Sequence, residues 1–118
     1  MFKPTITSAK RKIWLYNYPI DMRKQIDSLT MLIAEKMNMN PQNGNIFVFF
    51  SYAADRMKIL TWDGTGFVLI YKRLEVGWFA IPQYIGNHIE LNKTQLRWLF
   101  RGAGISDCVQ SLEYSEYF

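Results

Sequence analysis

The sequence predicts an α+β domain: an antiparallel sheet built around a central β-hairpin, packed by one long amphipathic helix and a shorter C-terminal helix. Three observations carry this. The stretch "RMKILTWDGTGFVLIYKR", residues 56–73, alternates its side chains on either side of a glycine-containing turn, as hairpins do. Met22, Ile26, Leu29, Ile33 and Met37 recur at the spacing of one helix face. A shorter helical pattern follows in "NKTQLRWLF", residues 92–100. Each element has one apolar face, and a helix lying across a sheet buries both.

Taken in order, residues 1–12, "MFKPTITSAKRK", read as a basic arm ending in Lys10, Arg11 and Lys12. Residues 13–105 read as a single domain and 106–118 as an acidic, aromatic tail. A short strand, "IWLYNY" (13–18), is stopped by Pro19. Asp21 has the chemistry of an N-cap, because its carboxylate accepts the free amide hydrogens of a first turn. The helix behind it would run about four turns, to "NMNPQNG", where Pro41 cannot continue it. Three strands follow: "NIFVFF" (45–50), "RMKILTW" (56–62) and "FVLIYKRL" (67–74), joined by "SYAAD" and "DGTG". "EVGWFAIP" (75–82) reads as a further short strand ended by Pro82. The second helix starts at Asn92 or Thr94, reaches Phe100, and is broken by Gly102 and Gly104. Tyr114, Tyr117 and Phe118 in the tail suit docking on this domain or on a partner.

At 118 residues the chain is one domain, long enough to bury a core without staples. It holds 14 Lys and Arg against 10 acidic residues. Residues 1–106 carry every base and all the acids except Asp107, Glu113 and Glu116, which leaves that body at +7. Such a charge favours anionic partners by steering. Cys108 is the only cysteine, which excludes an intramolecular disulfide and a four-cysteine zinc site. The longest apolar run, "IFVFF" (46–50), is strand length, so a cytoplasmic protein without a membrane span is expected.

The hairpin raises the functional question. A two-residue turn at Gly64 and Thr65 sets pairs whose numbers sum to 129: Trp62 with Phe67, Leu60 with Leu69, Lys58 with Tyr71, Arg56 with Arg73. Alternation puts Met57, Ile59, Thr61, Val68, Ile70 and Lys72 on one face, the natural core face. The other face carries Arg56, Lys58, Tyr71 and Arg73 at one end, with Trp62 and Phe67 near the turn. Like charges directly opposite each other are destabilising unless an anion lies between them. Asp55 or Glu75 can supply it locally. Nucleic-acid phosphates can supply it too, with Trp62, Phe67 or Tyr71 adding apolar or stacking contacts. Arg23 and Lys24 fall in the first turn of the expected helix, where its dipole disfavours cations. They suit a phosphate, or a pairing with Asp27.

Other chemistries have plainer explanations. Asp21, Asp27, Asp55, Asp63 and Glu75 invite a metal-dependent nuclease, whose chemistry needs clustered acids. Each has a plainer role: a cap, the polar side of a helix, a turn, or a place beside basic residues. His88 stands alone in "IGNHIE", and a thiol–imidazole pair with Cys108 has nothing further to support it. "GTG" (64–66) is too short to cradle a phosphate. No catalytic residue, metal, cofactor or small-molecule substrate is expected.

Four stretches together carry a family resemblance: "IDMRKQIDSL" (20–29), "GNIFVFF" (44–50), "DRMKILTWDGTGFVLIYKRLEVGWFAIP" (55–82) and "LNKTQLRWLF" (91–100). Their most specific pieces are Asp21-Met22-Arg23-Lys24 with Asp27 following, and Asp55-Arg56 leading into Lys58-Ile59-Leu60, Trp62-Asp63-Gly64 and Lys72-Arg73-Leu74-Glu75. The chain resembles the TnpB-type accessory protein, the second reading frame, of the insertion-sequence-sixty-six transposon family, over about residues 13–102. The resemblance implies a non-enzymatic helper encoded beside a separate transposase, contacting DNA or that transposase. Many members have arginine-rich residues where this chain reads Ser51-Tyr52-Ala53-Ala54, and the tail lies outside the resemblance. The expectation is therefore an accessory protein for transposition. It would touch DNA weakly through Arg56, Lys58, Lys72, Arg73, Arg23, Lys24, Trp62 and Tyr71 and assist the transposase. The alternative is a protein-interaction module that binds the transposase without touching DNA.

Overall fold

A computed structural model describes residues 11–104. The basic Lys10, Cys108 and the aromatic tail lie outside those residues. Five strands form one sheet: β1 (Ile13–Tyr16), β2 (Ile46–Phe50), β3 (Arg56–Trp62), β4 (Phe67–Arg73) and β5 (His88–Leu91). Two helices accompany them, α1 (Ile26–Lys36) and α2 (Lys93–Arg101). The strand order is β4-β3-β2-β1-β5.

The α+β class holds, but the sheet is mixed. β1 and β2 run parallel, with Ile13, Trp14 and Leu15 opposite Ile46, Phe47 and Val48. A parallel pair needs a crossover, and α1 is that crossover. The other neighbours are antiparallel. Residues 75–82 form no strand; Trp78 makes only an isolated bridge to Ala103. The fifth strand lies instead at His88–Leu91, against β1.

Both faces of the sheet are covered. On one, Tyr16, Phe47, Phe49 and Leu60 pack with Leu29, Ile33 and Met37 from the α1 segment. On the other, Leu15, Val48, Met57 and Ile59 pack with Leu96, Leu99 and Phe100 of α2. The central strands are therefore apolar on both faces, which gives "IFVFF" its unbroken run.

The apolar stripe from Met22 to Met37 faces the core as its spacing requires, yet α1 has only 11 residues and begins at Ile26. Asp21 does not cap it. The cap position is Gln25, which makes no side-chain cap bond. Asp21 instead closes a turn, accepting the Arg23 amide on Oδ1 at 2.8 Å and the Lys24 amide on its carbonyl at 3.0 Å. The reason lies 34 residues away or more. The Lys58 ammonium donates to the carbonyls of Met22 (2.8 Å) and Lys24 (2.5 Å). In a longer helix those carbonyls would accept the amides of Ile26 and Ser28.

α2 is capped as its sequence suggests. Asn92 Oδ1 accepts the Gln95 amide and Gln95 Oε1 accepts the Asn92 amide, both at 2.7 Å, a complete capping box. Gly102 ends the helix at φ 89°, and a Cβ there would sit 2.9 Å from a Leu74 methyl, so glycine is required on two counts. Replacing Asn92 with Ala is expected to destabilise the domain by about 1 kcal/mol, read as a lower urea midpoint at unchanged slope.

Candidate nucleic-acid interface

The hairpin register is the one its turn predicts: Arg56 faces Arg73, Lys58 faces Tyr71, Leu60 faces Leu69 and Trp62 faces Phe67. Asp63 makes the turn. Its Oδ1 accepts the amides of Thr65 and Gly66 and the Thr65 hydroxyl, and Gly64 takes φ 102°. Those donors hold the Asp63 carboxyl below its ordinary pKa.

The basic residues of the hairpin separate into three environments. Lys58 is 4% exposed and is consumed by the two carbonyls of the 22–24 turn, with the Tyr71 ring centroid 5.7 Å from its ammonium. Burial lowers its pKa. α1 and the turn before it cover that part of the face, so the Lys58 ammonium meets these two carbonyls. Lys72 points to the other side of the sheet, where it donates to the Phe100 carbonyl at 2.7 Å and lies 4.1 Å from that ring's centroid. It anchors the C-terminal end of α2, where carbonyls lack helical partners. Burial lowers its pKa as well.

Arg56 and Arg73 remain at the open end of the face. Arg73 donates to Glu75 Oε2 at 2.8 Å with both side chains largely exposed, and that partner raises its pKa. The local carboxylate thus answers one of the two opposed charges. Arg56 is exposed and makes no side-chain hydrogen bond or ion pair among the described residues.

A cleft of about 480 Å³ opens beside Arg56, lined by Ile20, Met22, Arg23, Tyr52, Asp55 and Tyr71 among others. Two turns build it. The Ile20 amide donates to the Phe50 carbonyl at 2.9 Å, which sets the 20–23 turn against the end of β2. The 51–55 turn is tied by the Ser51 hydroxyl to Asp55 Oδ1 and by the Arg56 amide to Ser51 Oγ, both at 3.1 Å. Ala54 in that turn sits at φ 57°, a left-handed conformation uncommon for alanine, and its carbonyl accepts the Phe79 amide. Arg23 also lines the cleft, 91% exposed, with its guanidinium 2.6 Å from Asp21 Oδ2. That bond depresses the Asp21 carboxyl to about 2, so the pair is ionised at physiological pH.

The predicted residues Arg23, Arg56 and Tyr71 therefore line one cleft. Lys24 contributes its carbonyl to Lys58. Trp62 lies six residues along β3 from Arg56, roughly 20 Å away, packed edge-on against Phe67. Tyr52 was passed over by the sequence reasoning, although a large aromatic in the turn "SYAAD" is a signal; its ring is 81% exposed on the cleft rim.

Arg11 and His88 have structural work. Arg11, assigned by sequence to the basic arm, donates to the Gly44 carbonyl and the Thr61 hydroxyl. His88 meets Asn87 through Nδ1 and packs edge-on against Trp14. Among the described residues no three His, Cys, Asp or Glu side chains group in a way that holds a metal ion. None of their helices is long and apolar enough to cross a membrane. On the far side of the sheet a second, more apolar cleft of about 440 Å³ is lined by Ala80, Pro82, Leu91, Trp98 and Leu99 among others.

Comparison with known proteins gives one family. Residues 11–110 match the family described as IS66 Orf2 like protein. Two uncharacterized proteins of Sinorhizobium fredii (strain NBRC 101917 / NGR234) are similar. The first, y4hO, is 34% identical over 91 residues, 77% of this chain and 79% of its own length. The second, y4jC, is 30% identical over 91 residues, 77% of this chain and 78% of its own length. No solved structure matches the chain.

Proposed function

This chain belongs to the IS66 Orf2 like protein family, an insertion-sequence-associated family of accessory proteins, and on that premise we propose that it contacts DNA directly while assisting the transposase of its element. The contact is made by the rim of the Arg56 cleft, in the cytoplasm, and no bond is made or broken by this protein. The observation that carries the reading is Arg56: an exposed guanidinium directly opposite Arg73, with no partner of its own among the described residues. A phosphate between the two arginines relieves their repulsion and gains a charge-assisted bond. The grip is weak, because Arg23 and Arg73 already spend part of their charge on Asp21 and Glu75. Lys58 and Lys72 take no part.

Binding of the purified protein to a labelled transposon-end duplex and to a scrambled duplex, across a salt series, tests this. Both duplexes should bind at micromolar concentration and weaken together as salt rises. Absence of binding at low salt by the folded protein would sink the reading.

A second reading, contact with the transposase alone, draws on the opposite face of the sheet. There Trp98, which lines the apolar cleft, is 65% exposed, and Trp78, bridged to Ala103 of that lining, is 53% exposed. Exposed aromatics of this kind are enriched at protein interfaces. A Trp98→Ala variant that binds duplex normally but fails to retain the transposase would assign the two faces to two partners.

A further inference from the structure

We infer that the Arg56 cleft is a site for one unpaired nucleotide, so that single-stranded DNA is the form this protein grips; the inference rests on the DNA reading above. A duplex needs only a basic surface, and this site is something else. Its volume of about 480 Å³ falls within the range of clefts that enclose small ligands. Two phenol rings line it, Tyr52 at 81% and Tyr71 at 51% exposure, and neither is used by the core. Exposed aromatics beside a guanidinium are the recurring equipment for unstacked bases, since every base has a face to stack.

The charges around the cleft point the same way. Arg56 and Arg23 stand on its walls, but so do Asp21 and Asp55. Two carboxylates this near repel a run of phosphates and tolerate a single one, held at Arg56. They also offer acceptors that base amino groups can use and that a sugar–phosphate backbone cannot. Ile20 and Met22 add an apolar wall suited to a base rather than to a hydrated phosphate. The Lys58 ammonium, itself fixed by two carbonyls, lies 5.7 Å from the Tyr71 ring centroid and favours the position the ring takes. A fixed ring stacks at lower entropic cost than a mobile one.

The test compares the full chain with Tyr52→Ala and Tyr71→Leu variants on a short mixed-sequence single strand and on the duplex of the same sequence. Wild-type protein should bind the strand about tenfold more tightly than the duplex, and each variant should lose about tenfold on the strand alone. Tyr52 is too exposed for its removal to disturb the fold, so that variant keeps the test interpretable if Tyr71→Leu is poorly folded. Variants that bind the strand as wild type does would overturn the inference while leaving the DNA reading standing. So would losses of equal ratio on strand and duplex. A wild-type protein that binds neither form would take both readings down.

Discussion

Lys58→Met is expected to lose about 3 kcal/mol of folding stability, although the substitution removes a cation from a basic protein and keeps the buried stem. The ammonium is the only donor that hydrogen-bonds the carbonyls of Met22 and Lys24 among the described residues. Hydrogen bonds from a charged donor contribute about 1.5–3 kcal/mol each, and acceptors left unmade cost about 1–3 kcal/mol. Relief of the desolvation that holds the Lys58 pKa down works in the other direction. Replacing a whole buried polar pair by apolar groups can be neutral for that reason, but here only one partner is removed and the carbonyls stay. The Met22–Lys24 turn cannot simply wind into α1 to recover them, because Ile20 is pinned to Phe50 and Asp21 holds the Arg23 amide. Urea unfolding followed by tryptophan fluorescence measures the loss. If stability is unchanged and only DNA affinity falls, Lys58 is a contact residue after all, and its two carbonyl bonds are incidental.

The same lysine shows where the sequence was legible and where it was not. Period-two alternation correctly put Lys58 on a face with Arg56, Tyr71 and Arg73, and Asp63-Gly64-Thr65-Gly66 fixed the register. Both signals are local, so both could be read. What covers that face is not local. The 22–24 turn arrives from more than 30 residues upstream, and in arriving it converts Lys58 from a surface charge into a bracket and shortens α1 at its start. The parallel pairing of β1 with β2 was hidden in the same way, since each strand reads alike whichever direction its neighbour runs. β5 escaped notice because "HIEL" is four residues with one fully buried side chain, too short for alternation to stand out. "EVGWFAIP" misled because its apolar residues do separate jobs: Phe79 fills the core while Val76 and Trp78 face solvent. At the site, Arg23, Arg56 and Tyr71 were legible as residue types, whereas their convergence on one cleft depends on two turns that only the folded chain brings together.

Two substitutions at the open end of the hairpin should move DNA affinity in opposite directions. Arg56→Glu replaces the unpartnered guanidinium with a carboxylate facing Arg73, and should weaken duplex binding about tenfold while reducing the salt slope by about one. Glu75→Gln removes the carboxylate that Arg73 now pairs with at 2.8 Å, leaving that guanidinium for phosphate. Affinity should then rise by about threefold, with a steeper salt dependence. Neither change should alter stability by more than about 0.5 kcal/mol, because the groups are exposed and surface pairs of this kind contribute little. Lys58 is left intact in both variants, so a folding defect does not imitate a binding defect. The opposed signs are what make the pair informative. Simple loss of positive charge anywhere on a basic protein lowers affinity, but gain on removing one particular carboxylate requires phosphate at Arg73. If Glu75→Gln leaves binding unchanged while Arg56→Glu abolishes it, the phosphate sits inside the cleft at Arg56 and not across the arginine pair. If neither variant shifts the binding curve, the basic end of the hairpin meets no phosphate, and the opposed arginines are balanced by the neighbouring carboxylates Glu75 and Asp55.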